Sequence, residues 1–190
     1  METKGKGSGK VPEWLRQARS KWTYFGQERP PFAEEPESGQ RSVWDFPRPP
    51  ALVELPKKVE VKWKDALLAS STKALELQET ASPPTVYLPP EDVLLEHFVK
   101  VPQRQSLCEW KGSAEYWALA DEPDKPVAWV YPRPFSEYAR LQGYFAFYPQ
   151  YVDCFVDGER VRPQPGSFYA GWITDDLVGP FKGEPGSGHW

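Results

Sequence analysis

Cys108-Glu109-Trp110-Lys111-Gly112 sets a thiol three residues ahead of an ammonium, followed by a glycine that frees the backbone. The thiolate is the reactive form of cysteine, and a nearby cation stabilises it, so the pair could carry nucleophilic or redox chemistry. On a strand, Cys108 and Lys111 would project to opposite faces, and a turn or bulge at Lys111-Gly112 is needed to unite them. The plainer reading is a buried, inert thiol, since free cysteine packs as a small hydrophobe. Cys154 shares an apolar alternation with Val152 and Val156 and is expected in the core.

No nucleophile triad can be read from the histidines, His97 inside an expected strand and His189 near the last residue. The adjacent acids Asp175-Asp176 invite a metal or general-acid role, but neighbouring side chains diverge, and an exposed turn accounts for them. Glu79, Glu91 and Asp92 flank proline-rich turns, where carboxylates act as caps or complete a polar pocket. Two cysteines and two histidines are too few, and wrongly spaced, for a four-ligand zinc site or a disulfide framework. No metal and no cofactor is expected.

The elements that must position these groups are short. The chain has 22 prolines, several in pairs such as Pro83-Pro84 and Pro89-Pro90, which largely excludes long helices. Pro12 followed by Glu13 to Arg19 predicts one short helix with Trp14, Leu15 and Ala18 as its apolar stripe. Residues 22–56 lack a period but interleave aromatics with prolines, predicting an extended arm packed over a neighbouring surface. Val59, Val61 and Trp63 alternate with charged residues as a half-buried strand does. Ala66–Ser71 and Ala74–Glu79 continue it as a meander. Further strands are predicted at 85–88, 95–101, 107–110, 113–119 and 127–131, with a short helix from Pro134 ended by Gly143. Asp157-Gly158 predicts a tight hairpin over 152–161. The tail from Pro165 to Gly183 alternates glycines with aromatics, and either wraps the sheet or lines a cleft. The fold class that follows is mainly β, a sandwich or an open barrel and not a parallel sheet with crossover helices. Residues 1–10 form a disordered tail, 11–56 the helix and arm, and 57–190 the β-domain with its wrap.

With 190 residues, 15% of them aromatic, the chain can bury one sizeable core. A formal charge of -4 gives no general attraction to phosphate backbones or anionic lipid, so no nucleic acid and no membrane is expected as partner. No apolar run is long enough to cross a bilayer, and the basic start lacks an apolar signal core. A cytoplasmic location with reduced thiols follows.

Taken together, Glu79-Thr80, Tyr87-Leu88-Pro89-Pro90-Glu91-Asp92-Val93, the stretch from Cys108 to Trp117, Phe168 to Thr174, and Gly179 to Gly186 resemble the bacterial domain-of-unknown-function 427 family. The resemblance runs from about Lys57 onward, and Val43 to Pro50 resembles the arm of longer members. It implies a tent-like β-domain of curled antiparallel sheets, akin to the Mss4-like and methionine-sulfoxide-reductase architectures. The paired Cys-x-x-Cys zinc ligands of those relatives are missing, so zinc is not carried over. The family is also catalogued among nucleotidyltransferases, yet Gly112-Ser113 is followed only by Glu115 and not by an Asp-x-Asp metal pair. The family pattern falls on Glu79, Tyr87, Asp92, Cys108, Lys111, Gly112 and Tyr116. These polar groups would converge at the mouth of the domain, with Trp172 or its aromatic neighbours as a wall, or else form a buried network that fixes turns.

Three functions are therefore open. The first is a small-ligand-binding domain on Glu79, Tyr87, Asp92, Cys108, Lys111, Tyr116 and Trp172. The second is an interaction module in which the arm engages a partner, a homodimer included. The third is an enzyme using Cys108 with Lys111 and Asp92.

Overall fold

The computed structural model describes residues 11–166 and 168–190; the tail expected at 1–10 lies outside them. After the helix α1 (Glu13–Arg19) come strands β1 (Arg41–Ser42), β2 (Ala51–Leu55), β3 (Val59–Trp63), β4 (Ala66–Ser71), β5 (Ala74–Glu79) and β6 (Ser82–Leu88). They are followed by β7 (Phe98–Cys108), β8 (Gly112–Leu119), β9 (Glu122–Val130), β10 (Phe145–Phe147), β11 (Asp153–Val156) and β12 (Glu159–Arg160). The short pieces β13 (Arg162–Pro163), β14 (Trp172–Ile173) and β15 (Leu177–Val178) complete the set. Seven strands form one antiparallel sheet in the order β2-β5-β6-β10-β9-β8-β7, and four form a second, β12-β11-β3-β4. The protein is mainly β, as its turn-rich sequence implies, and neither sheet closes into a barrel.

Alternation sets which face packs. Val59 and Val61 of β3 are fully buried, and Cys154 of β11 lies opposite Val61 in register, which fixes it in the core between the sheets. Asp157 and Gly158 both have positive φ (48° and 82°), the backbone a two-residue hairpin turn requires. The Asp157 carboxylate also accepts from the Lys58 amide at 2.8 Å, tying the turn to β3.

Several expected elements differ. The meander over 59–79 is broken: β3 and β4 pair in the small sheet, whereas β5 crosses to the large one between β2 and β6. The burial of Ala74, Leu75, Glu76 and Leu77 in succession explains this, because a strand buried on both faces belongs inside a sheet. Ala51–Leu55, inside the arm by sequence pattern, is the edge strand β2. Leu95–His97 is a 3₁₀ turn and not the start of a strand, so His97 stands at a strand entrance. The strands expected at 95–101 and 107–110 are one long edge strand, β7, which tolerates Pro102 because an edge leaves one row of donors unpaired. The helix expected after Pro134 is a 3₁₀ segment, Ser136–Leu141. On α1, Leu15 is buried and Trp14 exposed. No described helix is long and apolar enough to cross a membrane.

Candidate functional site

The large sheet is apolar on both faces. In β9 and β10, Ala128, Val130, Phe145 and Phe147 face the core shared with the small sheet, while Trp129, Tyr131 and Ala146 belong to a second cluster on the opposite face. That second face is ordered by register: Leu75, Tyr87, Ala146, Trp129 and Tyr116 are partners in a single row across β5, β6, β10, β9 and β8. Rings flank small residues here, Ala146 within the row and Ala114 beside it on β8, so the face is recessed. Trp22, Trp110, Tyr169 and Lys182 close in from outside the sheet and leave a cavity of about 630 Å³. Ligand pockets commonly fall within about 300–1,000 Å³.

The β7–β8 hairpin decides whether Cys108 and Lys111 can act together. Cys108 pairs with Gly112 across the hairpin, Glu109 to Lys111 forms the turn, and Gly112 has φ 101°. The chain reverses within these residues, so both side chains line the cavity. The turn is held from two sides. The Phe135 amide donates to the Lys111 carbonyl at 3.0 Å, and Arg19 of α1 donates to the Glu109 carbonyl at 2.8 Å while lying 4.8 Å from the Trp110 ring centroid. The short helix therefore serves to clamp the turn.

Charge is unevenly buried around the cavity. Lys111 and Lys182 are both buried and both line it. Burial works against the Lys111 ammonium, but Cys108, Tyr87, Tyr131 and Glu79 around it outweigh that and hold its pKa well above the ordinary lysine value. Burial likewise opposes charge on Lys182; with Arg48 adding repulsion, its pKa falls to about 8. Lys182 donates to the main-chain oxygen of Trp190 at 3.1 Å. Arg48 is buried and fully engaged, bonding Glu79 at 3.1 Å and the carbonyls of Tyr24 and Thr80 at 3.0 and 2.9 Å. Tyr87 is inaccessible, and burial pushes its hydroxyl up to about 12. Its oxygen has no hydrogen-bond partner, and neither do the buried indole nitrogens of Trp22 and Trp110.

Of the seven residues proposed from sequence as a ligand site, Glu79, Tyr87, Cys108, Lys111 and Tyr116 line this one cavity. Two do not. Asp92 closes the 3₁₀ turn Pro90–Asp92 away from the lining. Trp172 is 1% exposed in the core between the sheets, its indole donating to the Phe147 carbonyl at 3.2 Å, and it borders only a separate cleft of about 20 Å³. The wall assigned to Trp172 is supplied by Tyr169, three residues earlier. The tail both wraps and lines: Gly171 packs so closely on Pro83 and Gln164 that a Cβ would overlap both, while Tyr169 and Ala170 face the cavity.

Sequence reading missed Trp22, Trp129, Tyr148 and Lys182. For Trp129 the signal was present, because Val127-Ala128-Trp129-Val130-Tyr131 is apolar at both parities and so must be covered on both faces. Asp175 is exposed in a turn, and Asp176 pairs with Arg41 at 2.9 Å. Among the described residues no group of three or more His, Cys, Asp or Glu side chains could hold a metal ion.

Such a structure defines an antiparallel two-sheet domain with a ring-floored cavity on its outer face. A family model described as Domain of unknown function (DUF427) matches residues 51–158, and the chain belongs to that family. No curated protein matches the chain. The matched segment begins with β2 and ends in the β11–β12 turn, so the cavity floor lies within it. Trp22, Tyr169 and Lys182, which close the cavity, come from the flanks.

Proposed function

We propose that this protein is a small-molecule-binding domain whose ligand occupies the cavity on the outer face of the seven-stranded sheet. One observation carries this: a cavity of about 630 Å³ lies over an aromatic floor, and the buried Lys111 on its lining has no hydrogen-bond partner for its ammonium among the described residues. Leaving a buried donor unmet costs about 1–3 kcal/mol, so such groups call for an explanation, and a bound molecule supplies one. A likeness to the Mss4-like β-tent belongs to the same proposal, supported by the two antiparallel sheets packed face to face, as does a cytoplasmic location, with which two free cysteines agree.

Ala114 is the place to test this, since it lies in the floor and its side chain is only a methyl. Ligand-observed saturation-transfer NMR against a small-molecule library should give hits with the wild type that vanish with Ala114→Trp, and weaken with the milder Ala114→Leu. Hits that persist unchanged in both variants, or no hits at all, would contradict the proposal.

The reading as a subunit-assembly module is less favoured by the arm itself. Tyr24, Phe32, Trp44 and Trp190 pack on one another within this chain at ring separations of 5.2 to 6.2 Å. The enzymatic reading keeps a specific observation, Cys108 and Lys111 on the lining of one cavity.

A further inference from the structure

The rings around the cavity could by themselves cradle a cation, since aromatic faces attract positive charge. The charges buried among them point the other way. Lys111 is 8% exposed and Lys182 2% exposed, and neither ammonium is paired with an Asp or Glu carboxylate among the described residues, although Lys182 donates to the main-chain oxygen of Trp190. Arg48, the third buried cation of this region, is already committed to Glu79. The carboxylates that line the cavity, Glu79, Glu109 and Asp124, are half-buried or exposed. A second cation placed here would face two ammonium groups in a weakly screened space.

Hydrogen-bonding capacity is lopsided in the same sense. Indole N–H groups and ammonium groups can only donate, and a tyrosine hydroxyl can donate as well as accept. Lys111 lines the cavity and has no hydrogen bond from its ammonium among the described residues, its Nζ lying 5.8 Å from the Tyr131 ring centroid. What the Lys111 ammonium lacks is an acceptor. A carboxylate or a phosphate offers several acceptor oxygens and a countercharge at once, and charge-assisted bonds are the strong ones. The sheet floor of the cavity is flat and aromatic: Trp129 and Tyr148 have ring centroids 4.6 Å apart, and Tyr87 stands nearly edge-on to Trp129 at 6.4 Å.

We infer that the cavity takes an oxyanion-headed molecule with a flat apolar body, the head set against Lys111 and the body lying along the aromatic floor. The inference rests on the ligand-binding reading above and names the class of ligand. Carboxylates and phosphate esters of aromatic ring systems share the required chemistry.

The test is calorimetric titration of the full chain at neutral pH with four probes on one ring system: naphthylacetate, naphthyl phosphate, naphthylacetamide and naphthylethylamine. The two anions should bind about tenfold more tightly than the amide, and the amine most weakly; the tighter anion identifies the head as carboxylate or phosphate. Lys111→Met should remove the preference, so that in this variant the two anions bind no more tightly than the amide. Lys111→Arg should keep the preference, and it serves where the methionine variant fails to fold. Binding of amide or amine as tightly as the anions, or an anion preference that survives Lys111→Met, overturns this inference and leaves the proposed function standing. No saturable binding by any of the four overturns both.

Discussion

Lys182 Nζ lies 3.6 Å from the centroid of the Trp22 ring, a ring that the Arg48 guanidinium also approaches at 4.3 Å. The aromatic face favours the ammonium, while burial and the neighbouring guanidinium oppose it and bring its pKa to about 8. Between that value and the ordinary lysine value of 10.5, the unfolded chain holds a proton that the folded chain has released. Stability therefore rises with pH across this window, by at most about 3 kcal/mol. Urea unfolding of wild type and Lys182→Met, followed from neutral to alkaline pH, should show the wild type gaining on the variant. Parallel pH profiles would contradict it.

Arg48 gives a second prediction. Its guanidinium joins the Glu79 carboxylate to the carbonyls of Tyr24 and Thr80, so truncation strands several polar groups at once. Arg48→Met should cost about 3–5 kcal/mol in urea unfolding, the range for breaking one side of a buried pair. Adding Glu79→Leu should recover part of the loss, because it removes the stranded charge. A cost below about 1 kcal/mol, typical of exposed ion pairs, would show the pair to be dispensable.

The tail is docked through glycine. A Cβ at Gly171 would overlap Gln164 Oε1 and lie 2.6 Å from the Pro83 carbonyl oxygen, so the backbone must shift to admit it. Gly171→Ala should destabilise by about 1–3 kcal/mol, the scale of an overpacked site, and should expose the segment around Tyr169 to limited proteolysis. Unchanged stability and an unchanged digestion pattern would mean that the tail is not held there.

The two thiols should separate cleanly. Cys108 is half-buried on the cavity wall, whereas Cys154 is 1% exposed and burial pushes its pKa well up. Iodoacetamide should add once to the native protein, at Cys108, and a second time only in denaturant. Filling the cavity with Ala114→Trp should slow the first addition. Native labelling at Cys154 would place the core elsewhere.

Much of this architecture could be read from residues alone. The Asp157-Gly158 turn, the alternation of Val59 and Val61, and the helix from Glu13 to Arg19 depend on local chemistry and occur where their patterns fall. Glu79, Tyr87, Cys108, Lys111 and Tyr116, grouped only by the resemblance to the family, line one cavity, while Asp92 of the same group does not. What local pattern could not carry was parity across sheets. Trp172 and Tyr169 differ by three positions in one tail, and only the pairing of β14 with β13 sends the former into the core and leaves the latter at the cavity. The contributions of Trp22 and Lys182 were similarly hidden, because each arrives from a flank with no period of its own.

Native mass spectrometry of the freshly purified full chain tests the central claim most directly. The account expects a fraction of the protein to carry one discrete added mass that is released on acid denaturation and absent from Ala114→Trp. Bare protein that also binds nothing saturably when small-molecule extracts are added, or an added mass that the filled cavity retains, would contradict it.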